Sequence, residues 1–209
     1  MALTNIYLAR HGETEYNRRQ QIQGRGIDAP LNEKGRHQAE AIADHLKEIS
    51  LHKVFSSSLK RSKETAEIVG QPQGLKIESY ADLDEMNFGI LEGRPISEIK
   101  LELRQLHENW KSGDVDFASE NGESPRTVLN RAAGRIESII KEHQNANLLF
   151  VLHGRLIRIL VSHWLKYGLS SMDRIKHTNG ALYHLEWDGE TFMPVYLNNT
   201  EHLQLKTNC

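Results

Sequence analysis

The chain has 209 residues, of which 38% are hydrophobic and 26% charged, and its formal net charge is −2. That length suits one α/β domain with a sizeable core, in a composition ordinary for a globular protein. The near-neutral charge gives no ground for binding nucleic acid or an anionic membrane, and the longest apolar run, Leu148 to Leu152, is far too short to span a bilayer.

At the amino end, Met1 to Asn5 shows no charged segment followed by an apolar stretch, so no signal peptide is expected. Ile6 to Ala9 reads as a short strand running into Arg10-His11-Gly12, followed by a polar loop with Gly24, Gly26 and Pro30. Ala39, Ile42, Leu46 and Ile49 are spaced three and four apart, one buried face of a helix. His52 to Ser56 is a second strand, after which Ser57 or Ser58 can cap a helix reaching about Gly70. Lys76 to Tyr80 gives a third strand, and Ile96 to Trp110 a highly charged helix. Ser112 to Gly122 is turn-rich. Ser124-Pro125 then starts a helix whose core stripe is Leu129, Ala132, Ala133, Ile136, Ile139 and Ile140. Leu148 to Leu152 is a buried strand, and His153-Gly154 opens a helix reaching about Lys166. Leu182 to Trp187 and Thr191 to Leu197 flank Asp188-Gly189-Glu190 as a hairpin. Cys209, the sole cysteine, cannot form an internal disulfide and reads as an inert terminal thiol, which fits a cytoplasmic setting.

Short apolar strands alternating with amphipathic helices predict a three-layer α/β/α sandwich, mostly parallel, in one domain over 1–209. A cap-like insertion is expected at about 86–126, where Trp110, Phe117 and Arg126 could shape a pocket. Parallel sheets place ligands at the carboxyl ends of their strands, where both Arg10-His11-Gly12 and His153-Gly154 fall.

Most of the eleven histidines must be unremarkable. His11 differs: it follows a strand, adjoins Arg10 and precedes a glycine that would let a ligand approach the backbone. Neutral imidazole is a good nucleophile toward phosphorus, and its phosphoramidate stays labile to water. Without metal, the charge on the peripheral oxygens must be met by arginines, donor histidines and helix-terminal N–H groups, for which Arg10, Arg61 and His153 with Gly154 are candidates. Arg61 falls in the first turn of its helix, where the macrodipole disfavours a cation, a weak pointer to an anionic ligand; taken alone, a solvated arginine is the ordinary reading. The leaving oxygen needs a proton. Glu85, in an apolar setting that could keep a carboxyl protonated, competes for that role with Asp82 and Asp84.

These residues fall into motifs. Leu8 to Asn17, Ser56 to Ala66, Leu83 to Gly93, Gly122-Glu123-Ser124 and Val151 to Gly154 resemble, in order, the signatures of the histidine phosphatase superfamily, also called phosphoglycerate mutase-like. The resemblance implies His11 as the phosphorylated nucleophile and Glu85 as the acid, later the base that activates water. It places Arg10, Arg61 and His153 on the phosphoryl oxygens, with Asn17, Gln23 and Gly24 completing the pocket floor. Arg155 is a candidate extra cation, and the tail from Asn198 to Leu203 suggests His202 near the entrance. No cofactor and no metal are expected, and no His-x3-5-His spacing argues otherwise.

The expected activity is that of a phosphoric monoester hydrolase of the histidine acid phosphatase type. Its partner would be a small-molecule phosphate monoester, and a homodimer is left open. The alternative is a cofactor-dependent phosphoglycerate mutase. That reading is disfavoured because Gly93 is followed by Arg94-Pro95-Ile96 and a lone Arg104, rather than by a longer insertion with adjacent arginines. A non-catalytic phospho-ligand binder would lack His11 or Glu85, which are both present.

Overall fold

The computed structural model describes residues 3–204, so the expectation about Cys209 lies outside the described residues. One six-stranded sheet runs through the molecule in the order β3-β2-β4-β1-β5-β6. Its strands are β1 (Thr4–Arg10), β2 (Lys53–Ser57), β3 (Ile77–Tyr80), β4 (Asn147–Leu152), β5 (Leu182–Trp187) and β6 (Phe192–Asn199). The first four are parallel; β5 runs antiparallel to β1, and β6 pairs antiparallel with β5 to close the terminal hairpin. The fold is the expected α/β sandwich.

Side chains alternate across this sheet, so each strand feeds two cores. Ile6, Leu8, Leu148, Phe150 and Tyr183 face α5 (Pro125–Glu142) and α6 (Gly154–Trp164). Tyr7, Ala9, Val54, Leu149 and Val151 face α2 (Glu33–Leu46) and α3 (Lys60–Gly70). Leu148 to Leu152 therefore reads as unbroken hydrophobe because both of its faces are covered. α1 (Glu15–Arg18) and α7 (Glu201–Gln204) are single turns, and α4 (Lys100–Ser112) lies within the expected cap segment.

Local signals gave the element types, with informative departures. Ser124 caps α5 as expected, its hydroxyl accepting from the Thr127 N–H at 3.2 Å. Neither Ser57 nor Ser58 caps α3: Leu59 holds that position without a side-chain bond. Ser58 instead donates through N–H and O–H to Asp84, each at 2.8 Å, and Ser57 is turned toward His153. α4 begins four residues later than its charge pattern suggested, because the Ile96 N–H donates to the Gln20 carbonyl at 2.9 Å and ties this stretch to the loop after α1. Ile49 falls beyond the end of α2 yet still packs against that core.

Gly12 serves a different purpose from the one its motif suggested. A Cβ there would overlap the backbone of Gly35 at the start of α2, so the glycine permits close packing of two backbones. The His11 loop is thereby pressed onto α2.

Candidate active site

The register of β1 against β4 pairs Arg10 with Leu152, so the next residues, His11 and His153, emerge side by side. Their ring centroids are 5.1 Å apart and the planes are tilted by 57°. Both rings are buried, and the His11 N–H donates to the Leu152 carbonyl at 3.0 Å. His11 Nδ1 lies 2.7 Å from the Gly12 carbonyl oxygen, which can only accept, so Nδ1 carries the proton and the Nε2 lone pair is left for attack. Burial, with Arg61 and Arg10 nearby, holds His11 well below the ordinary histidine value; it is neutral at physiological pH. His153 is lowered likewise, by burial first and then by Arg61. Its Nε2 lies 2.7 Å from Ser57 Oγ. With the hydroxyl donating, Nδ1 keeps the hydrogen as a donor.

Two arginines flank the pair. Arg10 reaches the His177 carbonyl through Nη1. Arg61 is fully buried, and donates to the carbonyls of Ile27 at 2.8 Å and Gly24 at 3.0 Å. Burial pushes Arg61 down to about 10, against the pull of Glu85, which leaves it charged at neutral pH. Among the described residues, six buried side-chain polar atoms have no hydrogen-bond partner, and four of them are Arg10 Nε, Gln23 Nε2, Arg61 Nε and His153 Nδ1. Buried donors left unsatisfied cost free energy unless a ligand meets them. Gln23 is oriented by Thr14, whose hydroxyl donates to its Oε1 at 2.7 Å.

The three candidate acids separate cleanly. Asp82 pairs with Arg135 at an exposed position, and Asp84 is occupied by Ser58. Glu85 alone of the three lines the cleft. Its surroundings are not the apolar ones its neighbours suggested, because the N–H groups of Met86 (2.9 Å), Arg155 (3.0 Å) and Leu156 (3.0 Å) converge on its carboxyl oxygens. The last two belong to the open first turn of α6, where an acceptor is welcome. Arg131 binds the carbonyls of Asp82, Asp84 and Glu85 as well as the Glu123 carboxylate, and so fixes the whole segment.

The cleft, about 340 Å³, is lined by Arg10, Asn17, Gln23, Gly154 and Arg155 among others, so five of the expected residues meet there beside Glu85. His11, Arg61 and His153 are buried and do not line it; Arg10 and Gly154, chain neighbours of the two histidines, form its wall on that side. Gly154 has little room to be anything else, as a Cβ would stand 2.5 Å from His177 Cδ2 and 3.2 Å from Arg10 Nε. Gly24 does not line the cleft; it contributes the carbonyl that anchors Arg61. Arg155 is drawn aside by Asp173 (2.6 Å) and His107 (3.1 Å) over the Trp110 ring. His202 is not at the entrance: it is buried behind the sheet's carboxyl edge, bonded to the Gly180 carbonyl at 2.8 Å and packed on His45. Nor do Phe117 and Arg126 shape this cleft, since the Phe117 carbonyl accepts from Trp110 Nε1 and Arg126 pairs with Asp116.

Sequence reasoning missed four participants. Ser57 orients His153; His107 and His177 line the cleft; Asn179 donates to the His11 carbonyl at 3.2 Å and to Asn17 Oδ1 at 3.1 Å. His177 is held down to about 3 by burial and by Arg10, so it too is neutral. Among the described residues no group of three or more His, Cys, Asp or Glu is placed to hold a metal ion, and no helix is long and apolar enough to cross a membrane.

Residues 6–200 match the model of the histidine phosphatase superfamily (branch 1). A protein of Shigella boydii named "Probable phosphoglycerate mutase GpmB" is 34% identical over 189 residues, covering 88% of this chain and 86% of its own. Among solved structures, Bacillus stearothermophilus YhfR superposes with a TM-score of 0.87 at 29% identity, covering 96% of this chain and 99% of the other. A mycobacterial glucosyl-3-phosphoglycerate phosphatase in complex with VO3 gives 0.85 at 25% identity, over 94% and 99%. By sequence over nearly its whole length and by fold, this chain belongs to the histidine phosphatase superfamily (branch 1).

Proposed function

We propose that the chain is a phosphatase that hydrolyses small-molecule phosphate monoesters through a phosphohistidine at His11. The observation that carries this reading is the set of orphaned donors on Arg10, Gln23, Arg61 and His153, three of which belong to neighbours of the His11 ring with its free Nε2. Three peripheral oxygens of a phosphoryl group would satisfy such donors, and the burial that lowers the two arginines strengthens each contact.

In the first step His11 Nε2 attacks phosphorus in line, the ester P–O bond breaks, and Glu85 passes a proton to the departing oxygen. In the second, water attacks the phosphohistidine, Glu85 takes the proton, the P–N bond breaks and inorganic phosphate leaves. The backbone N–H groups of Arg155 and Leu156 hold the Glu85 carboxyl in the cleft wall, which supports its use as the proton donor.

A second reading, phosphoglycerate mutase, is favoured by the name of the relative at 34% identity. A mutase must exclude water, whereas this cleft shares Ile96, Leu103 and His107 with a wider groove of about 820 Å³ that gives water a path. The test is a phosphate-release assay on a panel of monoesters, with strong chelator present, run beside 3-phosphoglycerate. Steady release that survives the chelator supports hydrolysis. Conversion to 2-phosphoglycerate without release supports the mutase, and a magnesium requirement would overturn the mechanism.

A further inference from the structure

The wider groove lies between α4 and the turn Leu169–Arg174, and its charge is unusual for this molecule. The chain has fourteen arginines, at 10, 18, 19, 25, 36, 61, 94, 104, 126, 131, 135, 155, 158 and 174. Twelve of them hydrogen-bond to a carbonyl or form an ion pair with a carboxylate. The two without any such partner among the described residues, Arg104 and Arg174, stand on opposite walls of this one groove. Lys100 and Lys111 share the α4 wall, four residues before and seven after Arg104, and neither is paired among the described residues. Of the two acidic side chains lining the groove, Asp173 is already engaged by Arg155 and Arg158, which leaves Glu108 against four cations.

We infer that this groove binds a second anionic group, carried on the leaving alcohol of the substrate. The inference rests on the reading of the site at His11, beside the Arg10 and Gly154 wall of the cleft, as the place of phosphoryl transfer. The cleft and the groove are joined at Ile96, Leu103 and His107, two apolar side chains and a histidine that burial and Arg155 hold in its neutral form. A body of sugar or nucleoside size bridges that junction, with its phosphate at His11 and a distal phosphate or carboxylate between Arg104 and Arg174. The cleft of about 340 Å³ and the groove of about 820 Å³ each fall within the range of about 300–1,000 Å³ that takes ligands of drug size, and joined they exceed the need of a bare three-carbon phosphate. Like charges on the two walls of a groove repel one another and are relieved by an anion bound between the walls.

The experiment compares kcat/KM for adenosine 3′,5′-bisphosphate with that for adenosine 3′-phosphate and adenosine 5′-phosphate. Whichever phosphate of the bisphosphate reacts, the other is the distal anion. The expected preference for the bisphosphate is roughly tenfold, the worth of one charge-assisted contact at a partly exposed site. It should shrink as salt rises and collapse toward parity in the Arg104→Gln/Arg174→Gln double variant, through KM more than kcat. Parity in the unaltered protein, or a preference that the double variant leaves intact, overturns the inference while phosphate release from the monophosphates leaves the phosphatase reading standing. Absence of release from every ester, p-nitrophenyl phosphate included, sinks that reading and this one with it.

Discussion

The cations of the cleft and those of the groove are built on opposite plans. Arg10 and Arg61 are sunk beside the sheet edge and tied to the carbonyls of His177, Ile27 and Gly24; each still has a buried Nε without a partner. Arg104 and Arg174 stand exposed on a helix and a turn, with no hydrogen-bond or ion-pair partner among the described residues. The first arrangement suits a fixed, desolvated oxyanion whose geometry changes little from one substrate to another. The second suits a variable, screened partner. On the proposed reading, chemistry falls to the buried cations and selectivity to the exposed ones.

That contrast can be broken most sharply at His11. Replacement His11→Ala should lower kcat/KM by at least about 10⁴-fold on every ester, because no other group can take its place in line. Residual turnover within tenfold of the unaltered enzyme would move the nucleophile elsewhere. Next in size is Glu85→Gln, expected to cost on the order of 10²–10³-fold for alkyl phosphates and far less for activated aryl phosphates. Equal losses on both would argue that Glu85 is only a brace for α6.

Ser57→Ala should cost roughly tenfold, since His153 would lose the hydroxyl whose bond to Nε2 leaves the proton on the unpartnered Nδ1, the donor proposed for a phosphoryl oxygen. Unchanged kinetics would show that the ring orients itself. The smallest effect is on stability. His11 and His153 are held well below the usual value and His177 down to about 3, so the native state keeps all three neutral where the unfolded chain takes up protons. Their contribution is complete above roughly pH 6.5 and is lost as pH falls from there, by up to about 1.4 kcal/mol per pH unit for each ring. Urea midpoints measured between pH 7.5 and 5.5 should decline; a flat profile would mean the rings are solvated.

What could be read without the structure was whatever local pattern encodes. The β1 and β4 runs end at Arg10-His11 and at His153, so apolar continuity alone located both rings at one sheet edge. The 3.6-residue stripe from Leu129 to Ile140 likewise marked the buried face of α5. Partners far along the chain left no such trace. Glu85 is held by N–H groups 70 and 71 positions away, which is why its setting was misjudged as apolar. Gly12 answers to Gly35, and Ser57 to His153. His202 was misplaced for the same reason: its contacts, Gly180 and His45, are set by the packing of α7 on α2 rather than by its own neighbours.

The most direct test of the central claim is rapid quenching of a reaction with ³²P-labelled substrate, followed by mapping of the labelled peptide. Acid-labile, base-stable label on the peptide containing His11, formed and discharged at rates no slower than turnover, is the predicted result. Turnover with no such label, or label that persists in His11→Ala, would contradict it.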